Sequence, residues 1–506
     1  MCSIAGIYWL DHNSPNINTL KEMVGRALIA LQNRGPDESS IKIVHNKCVM
    51  GGNRLIVRGD LGKGSMPFTY DRNTLFYNGE IYNYKKRNKK ALSDGEVILP
   101  SFSDLDYKAF LEFDGEFAIS IWDASKNSLI LVRDPFGTKP LYFSLNKQRL
   151  LWASSAYAVH QMEEHEFCAA VKGPTYQHSY AVQEPYTSYD GIWLIPPGHF
   201  LIANNKEVKL YCYNQWKEYC PQSENLDEVF AALNETLKSR LDYNDMIGIP
   251  MSSGIDSGII AFTADQLNLK YHIFSVIKIF GQNTEETNVI LERIKRLKKV
   301  SKVTLLECNE EQYQKALEEM FLPNYYDSEK FDNGNILIHT VFDAMKREKI
   351  RVAIDGSGGD ELFHGYKFRE DYKPVKGWPH PWKINNYFYS LYTTLLDYTS
   401  KADRAGAYFS IESRFPFQSV RLMNAALKIK YSPILKWPLR KYLLERLNYG
   451  CPLQTDLYGK FGFSIKNKDK TSMIADMQRA WCKNNKLSSL PAKPPTKFPF
   501  KMGIRK

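Results

Sequence analysis

The texture of this chain changes about halfway along, and that change constrains the fold more than any single residue. Over the first 205 residues, short apolar runs are punctuated by turn residues, as at 3–8, 42–49, 74–77, 116–123, 128–133 and 141–144. This pattern predicts a β-rich unit in which residues 18–31 form the clearest helix. From about residue 227 the pattern alternates: helix 226–241, strand 246–251, helix 259–267, strand 273–279, helix 287–298, strand 300–307, and later strand 352–354. Strands alternating with helices predict a parallel sheet with helices on its faces. A chain of 506 residues is also too long for one ordinary core. The expected organisation is therefore an amino-terminal domain at 2–205, a linker at 206–226 and an α/β domain at 227–487. Residues 380–445 read as mostly helical, and the Pro/Lys-rich stretch 488–506 reads as a loosely ordered tail.

Composition excludes several classes. The eight cysteines form no CxxC pair and no zinc-like spacing, so reduced thiols and a cytoplasmic setting are expected. No apolar run approaches the roughly 18–20 residues that span a bilayer, and the start lacks the basic-then-apolar pattern of a signal peptide. No membrane partner is expected. The net charge of +11 is spread over scattered lysines that do not interleave with aromatics, so no nucleic-acid partner is expected either.

Three local features carry chemistry. Cys2 follows Met1, and removal of Met1 would leave a thiol and an α-amine on one residue, the amine able to act as base for the thiol. Met251-Ser252-Ser253-Gly254-Ile255-Asp256-Ser257-Gly258 follows a predicted strand and opens a helix. Its backbone N–H groups and hydroxyls make an anion pocket, although no Gly-Lys-Ser/Thr follows as in a Walker loop. Ile354-Asp355-Gly356-Ser357-Gly358-Gly359-Asp360-Glu361 again follows an apolar strand, and Asp360 offers a hard oxygen ligand for a Mg²⁺ held on phosphates. Parallel sheets bind ligands beyond the carboxyl ends of their strands, so the two turns could face one nucleotide.

With these in view, the chain resembles the glutamine-hydrolysing asparagine synthetases and their asparagine-synthase-like relatives. The resemblance runs from Cys2 to about Phe463. It includes Arg34-Gly35-Pro36-Asp37, Arg54-Leu55, Asn78-Gly79-Glu80-Ile81-Tyr82-Asn83, Ser93-Asp94-Gly95-Glu96 and Arg133-Asp134-Pro135-Phe136-Gly137. It continues through both turns to Glu412-Ser413-Arg414-Phe415-Pro416-Phe417 and Lys460-Phe461-Gly462-Phe463.

The resemblance implies an N-terminal-nucleophile αββα glutaminase followed by a parallel-sheet ATP-pyrophosphatase domain. Cys2 would attack the amide of L-glutamine, with Asn78 and the Gly79 N–H holding the oxyanion. Arg54 and Leu55 would bind the α-carboxylate end, and Glu80 and Asp94 the α-ammonium. ATP would lie on Ser252, Ser253, Gly254, Ile255, Asp256, Ser257, Val276, Asp355, Gly356 and Lys460, with Asp256 and Asp360 coordinating Mg²⁺. Ser357, Glu412 and Arg414 would border the acceptor, L-aspartate or another carboxylate. A homodimer is compatible with the resemblance. Departures from the family pattern include Ser3, Ser253, Ala156, Gln418, Ser419 and Ser357, the last where many asparagine synthetases carry a glutamate. They bear on the acceptor more than on the fold.

Overall fold

A computed structural model describes the chain except residues 12, 58–61, 63, 167–184, 188, 215–222, 285, 323–324, 326–332, 366–393, 431, 433, 448–495 and 501–506.

The amino-terminal unit is two six-stranded antiparallel sheets stacked face to face. One runs Trp193–Leu194, Tyr142–Leu145, Arg149–Ala153, Ser3–Trp9, Cys48–Arg54, Glu38–His45. The other runs Val208–Cys212, His199–Ala203, Ser128–Arg133, Gly115–Asp123, Asn73–Ile81, Phe68–Tyr70. The period of two along a strand sorts the side chains. On Ser3–Trp9, Ile4 and Tyr8 enter the layer between the sheets with Met50, Phe76, Ala118 and Trp152. Ala5 and Ile7 face outward onto the helices Ile17–Ala30 and Ala156–Met162. The helix Ile98–Leu105 covers the second sheet. The result is the expected αββα sandwich, and it sets Cys2 at the mouth of a central strand.

The carboxyl-terminal unit is a sheet whose parallel strands are ordered Lys302–Cys308, Tyr271–Ile279, Ile247–Pro250, Val352–Ile354, Glu412–Arg414, with the short strand Gln282–Asn283 folded back antiparallel on Tyr271–Ile279. Ile249, Ile273, Val352 and Ile354 pack beneath the helices Asp227–Leu241 and Ile255–Gln266, while Phe274 and Ala353 face Glu310–Met320 and Asn333–Arg347. Both faces are therefore buried, as helix-covered parallel sheets require.

Three expectations need revision. Residues 208–212 of the supposed linker form an edge strand that pairs with His199–Ala203. Within the stretch read as helical, Glu412–Arg414 is the edge strand of the parallel sheet. The tail also has a packed portion: Phe498 and Phe500 lie against Phe143, and Phe498 against Trp193. Thr496 donates to Asp190 from both its N–H and its hydroxyl.

Candidate functional site

At the glutaminase end, Cys2 is partly exposed and its Sγ lies 3.9 Å from the carbonyl oxygen of Leu55. Burial pushes its thiol up to about 11, against the opposing pull of the neighbouring α-amine. Met1 is buried, its sulfur accepts from Arg34, and burial lowers its α-amine to about 5. This amine belongs to Met1; removal of Met1 would put the α-amine on Cys2 itself, on the same residue as the thiol.

Asn78 lies on the strand Asn73–Ile81, fully buried, and neither its Oδ1 nor its Nδ2 has a hydrogen-bond partner among the described residues. A buried amide left without partners costs about 1–3 kcal/mol per polar atom, which marks it as a group awaiting a ligand. Gly79 follows at φ +150°, where an added Cβ would lie 2.0 Å from the Glu116 carbonyl oxygen, so only glycine fits. Asp94 is tied to the same strand, accepting from Ile81 N at 2.7 Å and from the Tyr77 hydroxyl. Arg54 is buried and donates to Glu38 at 2.8 Å and to Ser65 at 3.3 Å. Burial would raise the Glu38 carboxyl, but hydrogen bonds from Arg54, Gly62 and Ser65 bring it below its ordinary value. Cys2, Leu55, Asn78, Gly79 and Asp94 thus gather at one end of the sandwich.

In the carboxyl-terminal unit, the two Gly/Ser turns leave adjacent parallel strands, Ile247–Pro250 and Val352–Ile354, and press on each other. A Cβ on Gly356 would lie 3.2 Å from both Asp256 Cβ and Ser257 N, and one on Gly359 would lie 2.3 Å from Asp256 Oδ1. The first turn closes on its own hydroxyls: Ser252 N donates to Ser257 Oγ at 3.2 Å, and Gly254 N to Ser252 Oγ at 3.0 Å. Two further bonds come from outside, with Ser253 N donating to Glu286 at 3.0 Å and Arg293 donating to the Gly254 carbonyl oxygen at 2.7 Å. Ile255 begins the helix behind the turn, and Val276 is buried within the strand Tyr271–Ile279. In the second turn, Asp355 accepts from Ser357 N at 2.8 Å and from Ser357 Oγ at 2.5 Å. Burial raises its carboxyl despite these bonds.

Asp256 and Asp360 converge on one cation that sequence reasoning missed: Lys436 Nζ lies 2.5 Å from Asp256 and 2.8 Å from Asp360. Burial would lower this ammonium, but the two carboxylates outweigh it and hold it well above its ordinary value. Two hard oxygen donors aimed at one positive charge also suit a Mg²⁺ that completes its shell with phosphate and water oxygens. No group of three His, Cys, Asp or Glu side chains that could cage a metal occurs among the described residues. Lys460 lies outside the described residues.

Ser357 does not join Glu412 and Arg414 through any side-chain contact among the described residues. On the strand Glu412–Arg414, Arg414 faces the amino-terminal unit, while the Ser413 hydroxyl donates to the Ala402 carbonyl oxygen at 3.1 Å on the other side. Arg414, fully buried, bonds Glu412 at 2.8 Å and lies 3.6 Å from Glu80. Phe415 N donates to Glu116 at 2.8 Å, while Lys139, also buried, reaches Glu116 at 3.3 Å and the Ser413 carbonyl oxygen at 2.9 Å. Arg34 pairs with Asp403 at 2.9 Å, and Gln418 accepts from Thr138 at 2.6 Å. Buried charges persist only when paired, so this seam couples the two units tightly.

Comparison with known proteins follows the same division. A glutamine amidotransferase domain model matches residues 1–216, and an asparagine synthase model matches residues 228–384. Asparagine synthetase [glutamine-hydrolyzing] 1 of Bacillus subtilis is 26% identical over 388 residues, covering 73% of this chain and 60% of that protein. Asparagine synthetase [glutamine-hydrolyzing] 2 of the same organism is 28% identical over 403 residues, covering 72% and 52%. Asparagine synthetase B [glutamine-hydrolyzing] of Escherichia coli is 23% identical over 461 residues, covering 85% and 75%. The chain thus spans little more than half the length of the two Bacillus relatives. An αββα sandwich with Cys2 at its mouth, a parallel sheet with two facing turns, and two domain models in matching order lead to one statement: the chain belongs to the asparagine-synthase-like family of glutamine amidotransferases.

Proposed function

We propose that this chain is an ATP-dependent amide ligase fed by glutamine, with L-aspartate as its first acceptor and L-asparagine, AMP and pyrophosphate as products. The observation that carries the reading is the unpartnered, buried Asn78 amide at the Cys2 end of the sandwich, in one chain with the Asp256–Lys436–Asp360 cluster.

The chemistry divides between the two ends. With Met1 removed, Cys2 Sγ gives its proton to its own α-amine, attacks the side-chain carbonyl carbon of glutamine and places negative charge on the carbonyl oxygen. Asn78 Nδ2 and Gly79 N–H receive that charge, a contribution of about 3 kcal/mol per donor. Collapse expels ammonia and leaves a thioester, which water hydrolyses to glutamate. Asp94 holds the substrate ammonium, Glu80 lying instead against Arg414 in the seam, and Arg54 exchanges Glu38 for the substrate carboxylate. At the other end, the acceptor carboxylate attacks the α-phosphorus of ATP and pyrophosphate leaves into the turn at 252–257. Ammonia then displaces AMP from the acyl-adenylate. Mg²⁺ on Asp256 and Asp360 would neutralise phosphate charge. Lys436, freed from the carboxylates, is within reach of the same anion.

A second reading, a different carboxylate acceptor, draws on Ser357, whose hydroxyl is committed to Asp355 and supplies no acid or base near neutral pH. The test is mass spectrometry of products from ATP, Mg²⁺, glutamine and a panel of carboxylates. Asparagine from aspartate alone supports the first reading, product from another acid the second, and absence of AMP with every acceptor defeats both. Cys2→Ala should abolish synthesis from glutamine and spare synthesis from added ammonia.

A further inference from the structure

The phosphate turn already holds an anion of its own. Ser252 N and Gly254 N are satisfied by hydroxyls within the turn. The N–H of Ser253 instead donates, at 3.0 Å, to a carboxylate from 33 residues away, Glu286. That side chain is nine-tenths buried and stands at the head of the helix Thr287–Arg296. The other end of the same helix supplies Arg293, buried, which donates to the Gly254 carbonyl oxygen at 2.7 Å and the Ser252 carbonyl oxygen at 3.4 Å. One helix therefore grips the turn twice. Arg293 takes the carbonyls, which no phosphate would use, and Glu286 takes a donor that an anion would want.

We propose that Glu286 is a latch on the phosphate turn: it occupies the Ser253 N–H in the empty site, yields to the pyrophosphate group of ATP, and returns to help expel pyrophosphate after the acyl-adenylate forms. This rests on the nucleotide reading given above. A carboxylate and a pyrophosphate cannot share one donor in a dry pocket, because like charges so placed repel strongly. A turn occupied by its own carboxylate most of the time binds its ligand more weakly in proportion to the occupied fraction. Arg293 keeps the turn in shape while the occupant changes. The latch thus sets how fast the turn is emptied without setting its conformation.

Glu286→Gln keeps an oxygen that can accept from Ser253 N and removes the charge, so it separates latch from brace. Titration of the full chain with pyrophosphate in the presence of Mg²⁺ should show affinity about tenfold tighter in Glu286→Gln. Product inhibition by pyrophosphate should become correspondingly stronger, with adenosine affinity unchanged. Glu286→Ala should also bind pyrophosphate more tightly. Unchanged or weaker pyrophosphate binding in Glu286→Gln, with normal binding in the native chain, overturns the latch and leaves the nucleotide reading standing. No pyrophosphate binding by the native chain removes the site itself, and the latch with it.

Discussion

Substituting Asn78 by alanine separates a catalytic amide from a structural one, because the resting structure gives that amide nothing to hold. Its two polar atoms are buried and unpartnered among the described residues. Deleting them removes a standing penalty of about 1–3 kcal/mol per atom. The cavity left behind opposes this by about 1–2 kcal/mol at this size. Net stability should therefore be unchanged or rise, by about 5 kcal/mol at most. Activity should respond very differently. An oxyanion donor contributes about 2.7–4 kcal/mol to the transition state, so glutamine hydrolysis should fall about 10²–10³-fold. Synthesis from added ammonia should keep its native rate, because the nucleotide turns are untouched. The assay is paired: glutamate release and ammonia-driven AMP release on one preparation, with urea unfolding alongside. A variant that lost several kcal/mol of stability while hydrolysing glutamine normally would show Asn78 to be a core amide, and the oxyanion assignment would fail.

Two further outcomes follow from the buried charges. Arg414→Met leaves Glu80 and Glu412 without their shared guanidinium, and should cost about 3–5 kcal/mol in urea unfolding; a loss below 1 kcal/mol would show the seam to be solvated. Because burial raises the Cys2 thiol from 9.0 to about 11, its thiolate fraction near pH 7.5 is about a hundredfold below that of an ordinary thiol in the chain that retains Met1. Alkylation by iodoacetamide, followed by peptide mass, should therefore keep accelerating until about pH 11. A plateau at pH 9 would contradict the burial.

What the sequence revealed was what is local. Cys2, Asn78-Gly79 and the two Gly/Ser turns are short runs whose chemistry depends on neighbours in the chain, and their gathering followed from strand order. Lys436 escaped because its partners lie 180 and 76 positions away. No local pattern distinguishes it from a surface lysine ahead of the helix Trp437–Glu445. The strand Val208–Cys212 was hidden for a different reason. As an edge strand it buries little, and its half-exposed mixture of Val208, Lys209 and Leu210 resembles a linker. Glu412–Arg414 is three residues long and charged, too short to show a period of two. Its charges make sense only opposite Glu80, Glu116 and Lys139, none of which could be placed from the chain alone. The seam was therefore the least legible part.

The packing of Phe498 and Phe500 onto Phe143 bears on how the molecule is made. The amino-terminal sandwich could close early during synthesis, but two of the rings that border its interior are made only after the parallel-sheet unit. Until residue 500 leaves the ribosome, Phe143 and Trp193 lack those partners and the patch stays open to water or to a chaperone. Completion of the first domain is thus timed by translation of the whole second one. A ribosome that stalls within residues 228–384 would release a glutaminase unit carrying an uncovered apolar patch, a ready signal for quality control.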